Sequence, residues 1–122
     1  MNAFRMYATP DGESHFGDFD VSYEAMNEWI SRAAAMGASN ITFNTAKAGM
    51  DYQWHNAPRR QFVIGLSGTY DVIVSDGETR PVGPGTVLLA EDLTGKGHIM
   101  RVPASNDVYY AAVPLEDQTP TA

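Results

Sequence analysis

Most side chains able to do chemistry fall in two stretches, GMDYQWHNAPRRQFVIGLSG at 49–68 and GPGTVLLAEDLTGKGH at 83–98. The first holds His55, Arg59, Arg60 and Gln61; the second holds Glu91, Asp92, Lys96 and His98. Glu91 and Asp92 directly follow the apolar run Val87–Ala90. A carboxyl placed there can have its pKa raised by burial and serve as general acid or base. Alternatively the two acids cap the turn at Thr94–Gly95 or pair with Lys96. Pro58 pins the backbone ahead of Arg59 and Arg60 in an extended or turn conformation. One guanidinium, Arg59 for preference, can clamp a carboxylate or carbonyl oxygen bidentately; the competing role is an ion pair with Glu91 or Asp92. Ser14–His15 lacks the pattern of a nucleophile elbow, so triad hydrolysis has no support. Lys96 between two glycines is not a phosphate cradle.

Composition removes other classes. There is no cysteine, which excludes disulfides, thiolate nucleophiles and zinc–thiolate sites together. The formal charge is −7 and no basic cluster exceeds Arg59–Arg60, which argues against a nucleic-acid partner. No apolar run approaches the ~18 residues of a membrane span, and the N-terminus has no signal-like apolar segment. A cytoplasmic protein is expected. At 122 residues the chain is long enough for one core and too short for two, so residues 1–122 are expected to form a single domain.

The elements that must position these residues follow from periodicity. Residues 1–20 read as irregular structure or an edge strand. Over 22–36, Tyr23, Met26, Trp29, Ile30 and Ala33 recur at helical spacing, with Ser22 able to cap and Gly37 able to terminate. The pattern predicts one amphipathic helix there, its stripe packed on a sheet or closing over a pocket mouth. From residue 40 the period becomes two, with turns at Gly68–Thr69, Asp76–Gly77 and Gly83–Pro84–Gly85. Short strands at such spacing form a sandwich or barrel, here over 39–114, with 1–38 as an N-terminal segment. The tail 115–122 is expected to be flexible. By strict alternation, Tyr52 and Trp54 face away from His55, toward the outer surface or a dimer interface. One of Tyr109 and Tyr110 must face inward.

The two stretches resemble the paired motifs of the cupin family. The first motif runs glycine, five residues, His-x-His, three or four residues, Glu, six residues, glycine. Gly49, His55, Gln61 and Gly68 fall at those offsets, with Ala57 in place of the second His and Gln61 in place of the Glu. The second runs glycine, five residues, Pro-x-Gly, two residues, His. It starts correctly at Gly85, Glu91 replaces the proline, and His98 arrives two residues late. More narrowly, DGESHF, SDGETR and EDLTGKGH resemble small bacterial single-domain cupins. The resemblance implies an all-β double-stranded β-helix, a jelly-roll barrel, with one short N-terminal helix packed outside. It also implies a homodimer formed through a sheet face or N-terminal strands.

In that family two histidines, a glutamate and a late histidine converge inside the barrel on Fe, Mn, Ni, Cu or Zn. Carried over, the ligands are His55, His98 and Gln61, with Glu91 recruited as the carboxylate and Asp92 or His15 as further possibilities. No organic cofactor is implied. The alternative is a metal-free pocket in which His55 and His98 are an acid–base pair. Loss of two ligands tells against oxygen activation, so the expected activity is that of a lyase, isomerase or cyclase. Its substrate is a small molecule bearing a carbonyl or carboxylate, with His55, His98, Gln61, Glu91 and Arg59 as catalytic residues. Two rivals are a metal-dependent dioxygenase and a non-catalytic ligand-binding cupin.

Overall fold

Runs of β-branched and aromatic residues, broken by glycine turns, build twelve strands in the computed structural model, which describes residues 1–122. They are β1 (Ala3–Ala8), β2 (Ser14–Asp18), β3 (Tyr23–Ala25), β4 (Ser31–Ala33), β5 (Thr42–Ala46) and β6 (Asp51–His55). Then come β7 (Gln61–Ser67), β8 (Tyr70–Val74), β9 (Thr79–Val82), β10 (Val87–Glu91), β11 (His98–Arg101) and β12 (Val108–Pro114). Six pair in the order β2-β1-β10-β7-β12-β5 and four in the order β6-β11-β8-β9, giving the two facing sheets of a jelly roll. The turn expected at Asp76–Gly77 joins β8 to β9, and Gly77 supplies its positive φ of 97°.

Period-two alternation fills the space between the sheets. On β8, Tyr70, Val72 and Val74 point inward while Asp71 faces water. Phe4, Met6, Phe16, Val63, Leu88, Val82 and Val108 complete the core from other strands. The N-terminal segment is therefore part of the barrel, not an addition to it: β1 runs parallel to β10 and carries Phe4 and Met6 into the core.

The helix expected over 22–36 does not form. Tyr23–Ala25 and Ser31–Ala33 instead pair as an antiparallel hairpin, and no helix occurs anywhere in the chain. The cause is local. The Asn27 Oδ1 accepts from the backbone N–H groups of Trp29 (2.8 Å) and Ile30 (2.9 Å), and the Met26 N–H donates back to the Ile30 carbonyl. Asn in this position turns the chain and competes with helix hydrogen bonds. The apolar stripe meets no sheet: Tyr23, Met26, Trp29 and Ile30 are all exposed. With no helix present, none is long and apolar enough to cross a membrane.

The tail is also unlike expectation. Leu115 is buried, its N–H donates to the Arg60 carbonyl, and Gln118 bridges both backbone groups of Arg60. Thr121 reaches Glu91 through its backbone N–H (2.7 Å) and its hydroxyl (3.0 Å). A buried carboxylate needs such donors, and the C-terminal segment supplies them.

Candidate active site

A cavity of about 330 Å³ lies between the two sheets. That is the small end of the range for ligand pockets. Its walls are mainly apolar: Met6, Ala46, Met50, Val63, Val72, Leu88, Ala90 and Met100. The polar groups reaching it are the imidazoles of His55 and His98, the Gln61 amide, the Thr45 hydroxyl and the phenols of Tyr52, Tyr70 and Tyr110. No Lys, Arg, Asp or Glu lines it.

His55 ends β6 and His98 begins β11, and the two are direct cross-strand partners. Their ring centroids are 4.2 Å apart. This closeness depends on Gly97. Its φ is +74°, and a Cβ there would sit 2.1 Å from the His55 carbonyl oxygen. Only glycine lets the two backbones approach so far. The longer loop before His98 is held by Asn56, whose amide donates to the carbonyls of Asp92 and Gly95. Below it, the buried Ser14 hydroxyl donates to the Gly97 carbonyl at 2.6 Å and accepts from the Ser75 N–H.

Each imidazole has one nitrogen engaged. The Nδ1–H of His55 donates to the Gln53 carbonyl at 2.7 Å. The Nδ1–H of His98 donates to Asp92 Oδ2 at 2.5 Å. Both side chains line the cavity, and neither Nε2 has a hydrogen-bond partner in the protein. Asp92 has no solvent exposure, and its second oxygen, Oδ1, is buried without a partner. Burial lowers the His55 pKa, His98 lowers it further, and the bond to Gln53 and the charge of Asp92 oppose the shift. His55 is therefore a neutral imidazole at neutral pH. Burial raises the pKa of Tyr70, which the neighbouring Tyr110 reinforces, and burial raises that of Tyr110. Both phenols stay protonated at neutral pH.

Of the residues expected at the site, the structure brings together His55, His98 and Gln61. It places Glu91, Arg59 and His15 elsewhere. Glu91 faces the opposite side of β10 from Leu88 and Ala90, because successive strand residues alternate. There it binds Arg5 Nε at 2.9 Å and Arg60 Nε at 2.7 Å, an ion triad in which the Glu91 carboxylate is buried and Arg5 is partly exposed. Burial pushes the Glu91 carboxyl up, but the Thr121 N–H, Arg60, the Thr121 hydroxyl and Arg5 together hold it below its ordinary value. It stays a carboxylate with a structural task. Arg59 is exposed and does not reach the cavity; the buried guanidinium of the pair is Arg60, spent on Glu91. His15 lies outside the cavity, with Asp76 at 2.9 Å and Thr9 at 3.1 Å.

Two members were not foreseen. Tyr52, expected on the outer face, lines the cavity with its ring centroid 3.9 Å from that of His55. The register explains this: His98 pairs with His55 but Met100 pairs with Tyr52, so β6 holds one extra residue there. Such a bulge puts positions three apart on one face. Tyr70 was hidden in an apolar run, where nothing in the local pattern separates a cavity phenol from a core one.

The donor set does not suit a divalent metal. Ala57 stands where the family has a ligand, Glu91 is turned away, and Asp92 is occupied by His98 Nδ1. No third His, Asp or Glu joins the two histidines in a cluster able to hold a metal ion. Two imidazoles and a neutral amide leave the charge of such an ion uncompensated.

No protein-family model matches the chain, and no curated protein matches it in sequence. Solved structures do match in fold. The polyketide cyclase RemF from Streptomyces resistomycificus is 18% identical, with 83% of this chain and 78% of RemF covered and a TM-score of 0.50. A cupin domain from Bordetella pertussis is 14% identical over 80% of this chain and 93% of its own, with a TM-score of 0.49. An RmlC-like cupin from Desulfovibrio desulfuricans is 18% identical over 75% and 95%, with a TM-score of 0.43. The likeness to RemF shows a shared fold.

Proposed function

We propose that this chain is an enzyme that moves a proton on a small, uncharged, largely apolar carbonyl compound, as a lyase, isomerase or cyclase. The observation that carries the reading is the Asp92–His98 pair beside His55. A buried carboxylate accepting from Nδ1 fixes the His98 tautomer, so that Nε2 is the basic nitrogen facing the substrate. The carboxylate also stabilises the imidazolium formed when Nε2 takes a proton.

In the proposed step, His98 Nε2 removes a proton from the carbon next to the carbonyl. The C–H electron pair moves into the new C=C bond, and the carbonyl π pair moves to oxygen. A phenol O–H of Tyr70 or Tyr110 donates to that oxygen. The His98 imidazolium then gives its Nε2 proton to a different carbon to complete an isomerisation. In an elimination the proton goes to the departing group as the enolate expels it, and in a ring closure to the oxygen of a second carbonyl attacked by the enolate carbon. His98 ends neutral in each case. RemF, of the same fold, is named for a cyclase activity.

The lining also narrows the substrate. With Arg59 in solvent and Arg60 held by Glu91, no cation meets the ligand, so an anionic substrate would be desolvated without compensation. A carbonyl compound of one or two rings fits better than a carboxylate.

The test is deuterium uptake from D₂O into 2-tetralone, a neutral bicyclic ketone, followed by mass spectrometry with the wild type and His98→Ala. The wild type is expected to accelerate exchange, and the variant to lose about 10²–10⁴-fold of that acceleration. Equal rates with both proteins would overturn the assignment of His98 as the base.

A further inference from the structure

The proton transfer proposed for the cavity needs one imidazole, and the cavity holds two. β6 is the outer strand of its sheet, and the Gln53 carbonyl on it takes His55 Nδ1 at 2.7 Å. A carbonyl oxygen can only accept, so Nδ1 carries the proton. Burial lowers the pKa of the ring, and in a neutral imidazole the other nitrogen is then a bare lone pair. His55 Nε2 is thus a fixed acceptor. No protein group uses it. Tyr52 lies against the ring, with centroids 3.9 Å apart, yet neither its phenol nor the Gln61 amide hydrogen-bonds to the imidazole.

His98 is held in the same way, its Nδ1–H on Asp92 at 2.5 Å, so two acceptor nitrogens belong to rings whose centroids are 4.2 Å apart. Acceptors in an apolar cavity call for a donor on the ligand, because a polar group desolvated without a partner weakens binding. The lining decides which donor. No Asp or Glu reaches the cavity, so an ammonium would be desolvated without a counter-charge. A hydroxyl donates without charge and adds a single heavy atom to a ligand confined to about 330 Å³. The carbonyl oxygen of the same ligand is served by other groups. Tyr70 and Tyr110 stay protonated and can donate to it, which a bare imidazole nitrogen cannot do.

We propose that His55 is the specificity-determining residue of this cavity, and that the substrate is a hydroxy ketone whose hydroxyl donates to His55 Nε2. The inference rests on the reading of the cavity as a site of proton transfer at a ketone, and it narrows that substrate class. The closeness of the two rings sets where the hydroxyl belongs: on the carbon that gives its proton to His98, or on the next one.

Binding measured apart from turnover tests this, with 2-hydroxy-1-tetralone and 1-tetralone as a matched pair of neutral bicyclic ketones. By calorimetry the wild type is expected to bind the hydroxy ketone at least ~10-fold tighter. Nitrogen NMR should show the His55 Nε2 resonance moving with the hydroxy ketone and not with 1-tetralone, since only the former gives the bare nitrogen a donor. His55→Phe keeps a ring without the acceptor and should lose the preference. His55→Gln returns an acceptor oxygen near the same place and should restore part of it. Equal affinities in the wild type, binding of neither ketone, an unmoved His55 resonance, or a preference that survives His55→Phe would overturn the proposal. A deuterium exchange assay that fails while the preference holds would strike His98 as the base and leave this recognition standing.

Discussion

Asp92 and His98 are six residues apart in the chain and 2.5 Å apart across the loop that joins β10 to β11. The loop is longer than the family spacing allows, and the extra length is what lets Asp92 turn back onto the imidazole. Its other oxygen is buried and unpartnered, an arrangement that costs stability unless the carboxylate serves the histidine. Asp92→Asn is expected to keep the fold, slow proton transfer at least ~10-fold and loosen the His98 tautomer. Nitrogen NMR of the His98 ring checks the last point, because a purely structural Asp92 would leave the Nδ1–H form intact.

His55 couples stability to pH. Its folded pKa lies below the ordinary value of 6.5, chiefly through burial. The unfolded chain therefore binds a proton at His55 before the folded one does. Its contribution is present in full above about pH 6.5 and is lost as pH falls through the lowered folded value. Urea melts from pH 7.5 to 5 should show falling stability, and His55→Gln should flatten that slope. An unchanged slope would mean that other groups set it.

Gly97→Ala should separate the two histidines. The new Cβ would meet the His55 carbonyl at 2.1 Å, and alanine tolerates the +74° φ poorly. The backbone term alone is about 1–3 kcal/mol, so a loss above that is expected in urea unfolding. The diagnostic readout is the ring-to-ring NOE between His55 and His98, which should weaken or vanish.

The Glu91 triad ties the C-terminal segment to the barrel. Arg60→Met leaves a buried carboxylate short of a partner, and breaking such a pair costs about 3–5 kcal/mol. Since the Glu91 pKa is held down in the fold, its stabilisation is present above the unfolded carboxylate value and fades as pH drops through the folded one. Limited proteolysis should cut Arg60→Met after Leu115 sooner than wild type, and acid should bring the wild type toward the same behaviour.

Metal content is a separate check. Protein purified without chelators is expected to hold no stoichiometric Fe, Mn, Ni or Zn by elemental analysis, and His55→Ala to be indistinguishable from it. A stoichiometric metal lost in that variant would show that Gln61 or an unforeseen donor completes a site.

Much of the site was readable one residue at a time. The period-two runs and the glycine turns announce a β fold, because turn chemistry and alternation are local properties, and the spacing Gly49–His55–Gln61–Gly68 adds the family resemblance. The hairpin at 23–33 escapes periodicity for an equally local reason. Tyr23, Met26, Trp29 and Ile30 satisfy a helical period, but the side chain of Asn27 outbids the helix for two backbone N–H groups. Periodicity registers apolar faces and is silent on whether any surface awaits them.

From its residue order alone, this chain determined the barrel, the absence of thiol chemistry and the candidacy of His55 and His98. Only the folded arrangement decided that Asp92 rather than Glu91 serves the histidine, that Arg60 is consumed in the wall, and that a bulge swings Tyr52 into the cavity. Alternation along a strand is counted in the sequence, whereas the register between strands is set by contacts many residues apart. The chemistry of this cavity is written in that register.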